Sequence, residues 1–312
     1  MKRDQDLMLR AAWAHFIEGR TQDSVAQELG LTRAKTNRLI AECRELGLVR
    51  IGIDTEARIA LHEERALRDR FALEDVWVVP KAENDDAAVR TVGDSAGAYV
   101  SERLGAGQTL ALGWGRTLSA SVAGLQPRKP QGNRVVTLLG SMVRARGVNS
   151  FDIASSYART LSAECCYLIA PRVAESAEIA RDLLDRAYIR EALDIAAAAD
   201  MALIGVDDLS AASTLRDTGQ VRAADFDDLK KTGAICLLQG VALDADGAII
   251  NHPIAARTVG LDPVSFARVK LRIVAASGAR KARSIRAVLK GGHANILITD
   301  EPTAEAVLAL GA

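Results

Sequence analysis

The stretch TQDSVAQELGLTRAKTNRLIAECRELG, residues 21–47, decides how the start of this chain folds. Thr21 is a good N-cap, and the spacing behind it predicts a short helix over Gln22–Leu29. Gly30 follows, and glycine enters the left-handed backbone of a tight turn at no steric cost. Thr32 is a second N-cap, opening a helix from Arg33 to Leu46 that Gly47 stops. With Gln22 as the first position of a helix pair, small Ala26 falls where the two helices approach too closely for a large side chain. Gly30 then falls at the turn. Val25, Leu29, Leu31 and Leu39 take the positions buried between the helices. Thr36 stands where an aliphatic is usual, and its hydroxyl can bond back to a helical carbonyl.

Working outward, residues 4–18 carry Leu7, Ala11, Ala14, Phe16 and Ile17 at helical spacing, and Gly19 ends that helix. After Gly47, Val49, Ile51 and Ile53 alternate with Arg50 and Gly52, which predicts a strand and a small wing. The whole set predicts a helix-turn-helix module in residues 1–54, with double-stranded operator DNA as its partner. The second helix of such a pair enters the major groove by its N-terminal residues. Here those include Thr32, Arg33, Lys35, Thr36, Asn37 and Arg38. Arginine bonds guanine in a fork and asparagine bonds adenine, so Arg33, Asn37 and Arg38 are the leading base readers. Lys35 suits a phosphate or a guanine. Residues 1–53 hold nine basic and seven acidic residues, an excess of +2 in a chain of net charge zero. One head is therefore only mildly basic, and a two-fold pair of heads is expected.

The chain has 312 residues, enough for two domains, with 49% hydrophobic and 26% charged residues. Residues 56–72 form a charged helical pattern with Ile59, Leu61, Ala66, Leu67 and Phe71 on one side. It reads either as a solvated helix on its own domain or as a dimer contact, within a linker over 55–75. From Val76 to the end (76–312), apolar runs alternate with helical stretches. Candidate strands are Val76–Val79, Thr109–Leu112, Val135–Leu139, Tyr167–Ala170, Ala202–Val206, Ala234–Leu238, Ile273–Ala276 and Asn295–Thr299. This predicts an α/β fold with a mostly parallel sheet covered on both faces.

Three strand-to-helix loops lie at what would be the carboxyl edge of that sheet. Gly113-Trp114-Gly115-Arg116-Thr117 places glycines at a turn and free N–H groups at a helix start, an arrangement that favours anions. Gly140-Ser141 follows the next strand. Ser277-Gly278-Ala279-Arg280-Lys281 brings positive charge to the same edge. Together they predict a small-molecule crevice. Asp300, just past the last strand, either caps the final helix or faces the crevice. Neither the dinucleotide fingerprint nor a P-loop is present, so no cofactor is expected.

Four cysteines (Cys43, Cys165, Cys166, Cys236) lack C-x-x-C spacing and read as reduced small hydrophobes of a cytoplasmic protein. The four histidines are scattered, and no metal site is expected. Asp4 and Asp6 interrupt the start, so no signal peptide is expected. Asp194 and Asp200 break the alanine-rich stretch near residue 192, so no membrane span is expected either.

Four segments carry a resemblance. They are Trp13 through Gly47, Gly113 through Thr117, Lys281-Ala282-Arg283-Ser284-Ile285 with Gly291-Gly292, and Asn295 through Glu301. In these the chain resembles the SorC family of bacterial sugar-responsive transcription regulators over essentially its whole length. The resemblance implies a C-terminal domain like the sugar-phosphate isomerase fold of glucosamine-phosphate deaminase and ribose-phosphate isomerase. It also implies a sensed sugar phosphate or related metabolite, and a homo-oligomer, dimer or tetramer. Gly113, Gly115, Arg116, Thr117, Gly140 and Lys281 would line the effector pocket, with Trp114, Ser141 and Asp300 beside them. Two departures stand out. The run Ala234–Gln239 lacks the acidic residue the family often has there, and Ser277-Gly278 replaces the usual glycine pair. Both point toward a polyol or an unphosphorylated sugar derivative. The alternative is an isomerase- or deaminase-like enzyme with a DNA-binding head. Chemistry of that kind needs a positioned base, and the crevice loops offer only Asp300. A DNA-binding architectural protein without an effector is the third option.

Overall fold

A computed structural model describes residues 2–49, 62–142, 148–210, 213–217 and 221–311. The chain divides into two compact units, Met1–Arg58 and Ile59–Ala312.

The first unit packs three helices: α1 (Lys2–Phe16), α2 (Gln22–Glu28) and α3 (Arg33–Glu45). Both predicted caps form. Thr21 Oγ1 accepts from Ser24 N at 3.2 Å and Thr32 Oγ1 accepts from Lys35 N at 3.3 Å. Two of the three predicted glycine stops share one mechanism. Gly30 and Gly47 have φ of 62° and 67°, and the next residue's N–H turns back on the helix. Leu31 N donates to Ala26 O at 2.8 Å, and Leu48 N donates to Cys43 O at 2.9 Å. Met8, Ala11, Ala12, Val25, Leu39, Ile40 and Cys43 form the core. The wing predicted over residues 48–53 lies outside the described residues from position 50 onward, as does the beginning of the predicted 56–72 helix.

In the second unit, α4 (His62–Phe71) buries Leu67 against Val76, Val78 and Leu297, and Glu64 Oε1 accepts from Val78 N at 2.9 Å. Eleven strands follow in two sheets among the described residues. The first seven are β1 (Asp75–Val79), β2 (Thr109–Leu112), β3 (Arg134–Thr137), β4 (Glu164–Cys166), β5 (Met201–Ile204), β6 (Asp207–Asp208) and β7 (Cys236–Leu238). The last four are β8 (Val241–Leu243), β9 (Ile249–Ile250), β10 (Leu271–Ala275) and β11 (Ile296–Asp300). The larger sheet is wholly parallel, in the order β1-β11-β10-β5-β2-β3-β4. Alternate residues of its strands enter different clusters. Val76, Val78, Ala111, Val136 and Ala202 face one core; Trp77, Leu110, Leu112, Val135 and Leu203 face the other. Burial on both faces is why these strands read as unbroken apolar runs.

Two strand expectations need correction. Ala234–Leu238 supplies β7 of a small antiparallel sheet, β6-β7-β8-β9, and not a strand of the parallel one. The reason is the next two residues. Gln239 and Gly240 have φ of 50° and 82°, and this two-residue turn pairs Leu238 with Val241 in a hairpin. The strand expected over Tyr167–Ala170 comes earlier, as β4. Its pairing with β3 ends at Val136 and Cys166, after which Thr137 Oγ1, not a backbone carbonyl, accepts from Leu168 N.

Helix α5 (Asp85–Arg103) lies against the turns after α6 (Arg116–Ala120) with backbone touching backbone. A Cβ at Gly97 would stand 2.0 Å from Ser121 O, and one at Gly124 would stand 1.9 Å from Asp94 O. That contact seats α6, and with it the turn that follows β2.

The helices Ala223–Lys231 and Pro253–Arg257 are tied together by Asp225, whose carboxylate accepts from Arg222 at 2.8 and 3.1 Å and from Arg257 at 2.6 Å. These two arginines hold its pKa down at about 2, against the opposing effect of burial. A carboxylate lowered in the folded state stabilises fully above its unfolded value, and that stability is lost as pH falls toward the folded value. Urea titrations are expected to show Asp225→Asn losing about 1–2 kcal/mol at pH 7, after discounting exposed Arg222 for solvent screening. The gap to wild type should narrow below pH 4 and close near pH 2. A constant gap across that range would remove the ionic explanation.

Candidate functional site

The parallel sheet reverses its direction of winding between β2 and β5. From β2 the chain proceeds through β3 and β4 to one edge, whereas β5 leads through β10 and β11 toward the other. Crevices in open α/β sheets lie outside the carboxyl ends of the strands at such a reversal. Here those ends run into Gly113–Thr117 after β2, Gly205–Asp208 after β5 and Ser277–Lys281 after β10.

Trp114 is buried after β2, and the Arg172 guanidinium stacks on its indole 3.9 Å from the ring centroid. Only 3% of Arg172 is exposed. Its backbone is strapped on both sides: Arg172 N donates to Ser141 O, and Val259 N donates to Arg172 O, each at 2.9 Å. Arg172 Nη2 donates to Asp207 Oδ2 over a long 3.5 Å, and Nη1 has no partner. Burial pushes the Arg172 pKa down to about 10, against the pull of Asp207. Asp207 itself is pushed up by burial, opposed by Arg172 and Lys281. Lys281 Nζ donates to Val206 O at 3.1 Å. Burial lowers its pKa against the attraction of Asp207 and Asp208. Alongside, Arg280 Nη1 donates to Asp208 Oδ2 at 2.7 Å. Two further buried polar atoms have no partner, Gln239 Oε1 and Ser277 Oγ. Gln239 reaches in because residue 113 is glycine: a Cβ there would stand 3.0 Å from its amide nitrogen.

The predicted pocket residues divide by what they do. Gly113, Trp114 and Lys281 border this cluster. Arg116 is at its rim, 3.7 Å from Asp86. Thr117 is buried in α6, and Gly115 has a φ of 120° that favours glycine. Helix α6 is five residues long, so its terminus carries little of the dipole expected of it. Gly140 packs on the chain opposite, where a Cβ would stand 2.5 Å from Ala170 O. Ser141 Oγ donates to Asn149 Oδ1 at 2.6 Å, and Asn149 caps the helix Ser150–Leu161. Asp300 Oδ1 accepts from Gly278 N at 3.3 Å and from Thr303 Oγ1, tying β11 to the loop after β10. That carboxylate is occupied in holding the loop. Sequence reading missed Arg172, Asp207, Asp208 and Gln239. The acidic pair was findable, because it directly follows an apolar strand at the winding reversal.

On the first unit, Arg33, Lys35, Asn37 and Arg38 are exposed on α3. Arg33 Nε lies 3.3 Å from Asp23 Oδ1 and Arg38 Nε lies 2.9 Å from Glu42 Oε1. Exposed pairs of this kind are worth little and exchange readily for a phosphate. Thr32 is occupied as the N-cap. Thr36, counted among the DNA-contacting positions, turns inward: it is fully buried and its hydroxyl has no partner.

No group of three His, Cys, Asp or Glu side chains suited to a metal occurs among the described residues. The four cysteines are free thiols, and burial pushes Cys236 up to about 12. No helix among the described residues is long and apolar enough to cross a membrane.

Charged and amide side chains thus gather above the carboxyl ends of a parallel sheet, where open α/β folds place their ligands. Residues 56–309 match the Sugar-bind family of sugar-binding domains, and the chain belongs to that family, the SorC-type regulators. It is 30% identical over 308 residues to the erythritol catabolism regulatory protein EryD of Brucella abortus (strain 2308), covering 98% of this chain and 97% of that protein. It is 31% identical over 311 residues to the transcriptional regulator LsrR of Escherichia coli (strain K12 / DH10B), covering 98% and 95%. The full-length sorbitol operon regulator SorC from Klebsiella pneumoniae has the same fold, with a TM-score of 0.74 at 22% identity over 98% of this chain and 99% of that one. These relatives are transcription regulators, and the chain is a regulator and not an enzyme.

Two substitutions test the local energetics. Asp207→Asn is expected to cost about 3 kcal/mol in chemical denaturation, because it leaves two buried cations without their shared carboxylate. A cost under about 1 kcal/mol would mean that Asp207 is not their counter-ion. Thr36→Val is expected to stabilise the three-helix unit by about 1 kcal/mol, since it removes an unbonded buried hydroxyl without changing shape.

Proposed function

We propose that this protein regulates a carbohydrate or polyol catabolic operon by binding operator DNA through residues 1–54 and a small hydroxylated effector through residues 76–312, with 55–75 linking them. The three-helix unit acts as a helix-turn-helix head. Its α3 enters the major groove, with Arg33, Asn37 and Arg38 at base edges and Lys35 on the backbone. The second domain acts as a receptor of the sugar-phosphate isomerase type. The observation that carries this reading is the group of partnerless buried polar atoms at the winding reversal: Arg172 Nη1, Gln239 Oε1 and Ser277 Oγ. Buried polar groups are nearly always bonded, so a cluster that is not invites a polar ligand. The similarity to EryD, whose name refers to erythritol catabolism, favours a sugar-alcohol-derived effector.

Because one head is only mildly basic, the working form is a cytoplasmic homo-oligomer that presents two heads to half-sites about one helical turn apart or a multiple of that. The effector acts by differential affinity for two arrangements of those heads, and a useful shift needs a few kcal/mol.

Operator fragments selected from genomic DNA with the purified protein provide the test. Arg33→Ala with Arg38→Ala is expected to weaken binding by about 2 kcal/mol or more per half-site, and to flatten the dependence on salt. Thermal stability should stay near wild type, because both arginines are exposed. Unchanged operator affinity would show that α3 is not the reading helix.

A further inference from the structure

The two arginines placed at base edges above each meet a carboxylate at the same atom. Arg33 Nε lies 3.3 Å from Asp23 Oδ1, a contact that runs from α2 to the first residue of α3. Arg38 Nε donates to Glu42 Oε1 at 2.9 Å, one turn further along α3. Neither arginine donates a hydrogen bond from Nη1 or Nη2 to another described residue. Arg222 shows the alternative, in which Nε and Nη2 are both spent on one carboxylate. The first turn of α3 carries no acid, so Arg33 draws its partner from the first turn of α2. Glu28, the other acid of α2, is taken by Arg20. Lys35, placed on the DNA backbone, has no carboxylate partner among the described residues.

Resting on the reading of α3 as the recognition helix, we infer that Asp23 and Glu42 are positioning residues that set Arg33 and Arg38 for guanine. Each carboxylate holds Nε and leaves Nη1 and Nη2 to donate in parallel to guanine O6 and N7. A phosphate competes with the carboxylate for the same positive charge, so it binds at the cost of the pair. Guanine leaves the pair intact. In the free head such exposed pairs contribute little stability. Their effect is on choice: they favour a base edge over the backbone. An arginine already directed by its neighbour also loses less rotamer freedom on binding. Two of the seven acids in residues 1–53 are placed this way, and each lowers the head's affinity for DNA of any sequence. Specificity then comes partly from weakened binding to the wrong sites.

The test uses the full-length chain and an operator fragment selected from genomic DNA. In copies of that fragment each guanine in turn is replaced by 7-deazaguanine, which lacks the N7 acceptor. A scrambled fragment of the same composition measures non-specific binding. Wild type is expected to lose about fivefold to tenfold in affinity at the guanines that Arg33 and Arg38 read, the scale of one hydrogen bond to a charged donor. Asp23→Asn and Glu42→Gln are each expected to lose most of that sensitivity at one guanine. Each should also bind the scrambled fragment about twofold to fivefold more tightly, with a steeper dependence on salt. Asp23→Glu keeps the charge on a longer arm, and should recover part of the sensitivity without the gain in non-specific binding. In an Arg33→Ala background, Asp23→Asn should no longer alter base discrimination, whereas a purely structural role would persist there. Melting temperatures should stay near wild type throughout. Unchanged sensitivity to 7-deazaguanine in both variants overturns this inference and leaves the recognition helix in place. So do gains in affinity of equal size for the operator and the scrambled fragment, because the carboxylates would then act only as charges. An operator affinity indifferent to Arg33→Ala with Arg38→Ala overturns both readings.

Discussion

Between β2 and β5 the chain changes its direction of winding, and no connecting segment needs to cross the space above their carboxyl ends. The rest of the molecule is arranged around that gap. Elsewhere alternate residues of the central strands are buried in two hydrophobic clusters, one on each face. At the reversal polar side chains collect beyond the buried strand ends. Val206, Asp207 and Asp208 leave β5 directly into it, Trp114 enters from β2, and Lys281 comes from the loop after β10. The small antiparallel sheet closes the far side because its first strand is that acidic pair. One short segment thus serves both as the wall of the crevice and as the edge of the second sheet.

Collecting charges there is costly. Removing a carboxylate, an ammonium and a guanidinium from water is repaid only when geometry and hydrogen bonding are good, and here neither is complete. Arg172 and Asp207 meet at long range, and three polar atoms have no partner. A domain selected for stability alone would have no reason to keep them. Thr36 Oγ1, Asn133 Oδ1 and Arg272 Nε are likewise buried without a partner, so it is the placement of Arg172, Gln239 and Ser277 near the winding reversal, and not the lack of partners alone, that marks the candidate site. Asp300 shows the contrast: it is equally buried, yet its carboxylate is tied to Gly278 and Thr303.

Much of this was legible from residues alone, and the physical reasons are local. The caps Thr21 and Thr32 and the stops Gly30 and Gly47 act within one turn of helix, so they could be placed before any coordinates. The strands of the parallel sheet announced themselves as apolar runs between helical stretches. Errors arose where the decisive partner is distant or where a signal was overlooked. Gln239-Gly240, a two-residue hairpin turn, redirected Ala234–Leu238 into a different sheet. Gly140 is needed for close packing on Ala170, 30 residues further along the chain, and nothing near it in sequence reveals this. Arg172 was invisible because it lies in an irregular segment, and its value depends on Trp114 and Asp207 arriving from two other strands. Thr36 was placed correctly as a buried position by helical phase, then counted among the DNA contacts because its neighbours are polar.

The three tryptophans of this chain stand in three different surroundings. Trp13 is 60% exposed on α1, Trp77 is buried in the sheet and meets Tyr99 edge-on, and Trp114 lies beneath the Arg172 guanidinium. The protein therefore carries its own optical probes. Light emitted from position 13 reports on the three-helix unit, from position 77 on the integrity of the parallel sheet, and from position 114 on the surroundings of Arg172. Keeping one indole at a time would separate the three signals without attaching a dye. Changes around Arg172 and changes in the three-helix unit could then be followed on one clock, which would reveal the order in which they occur.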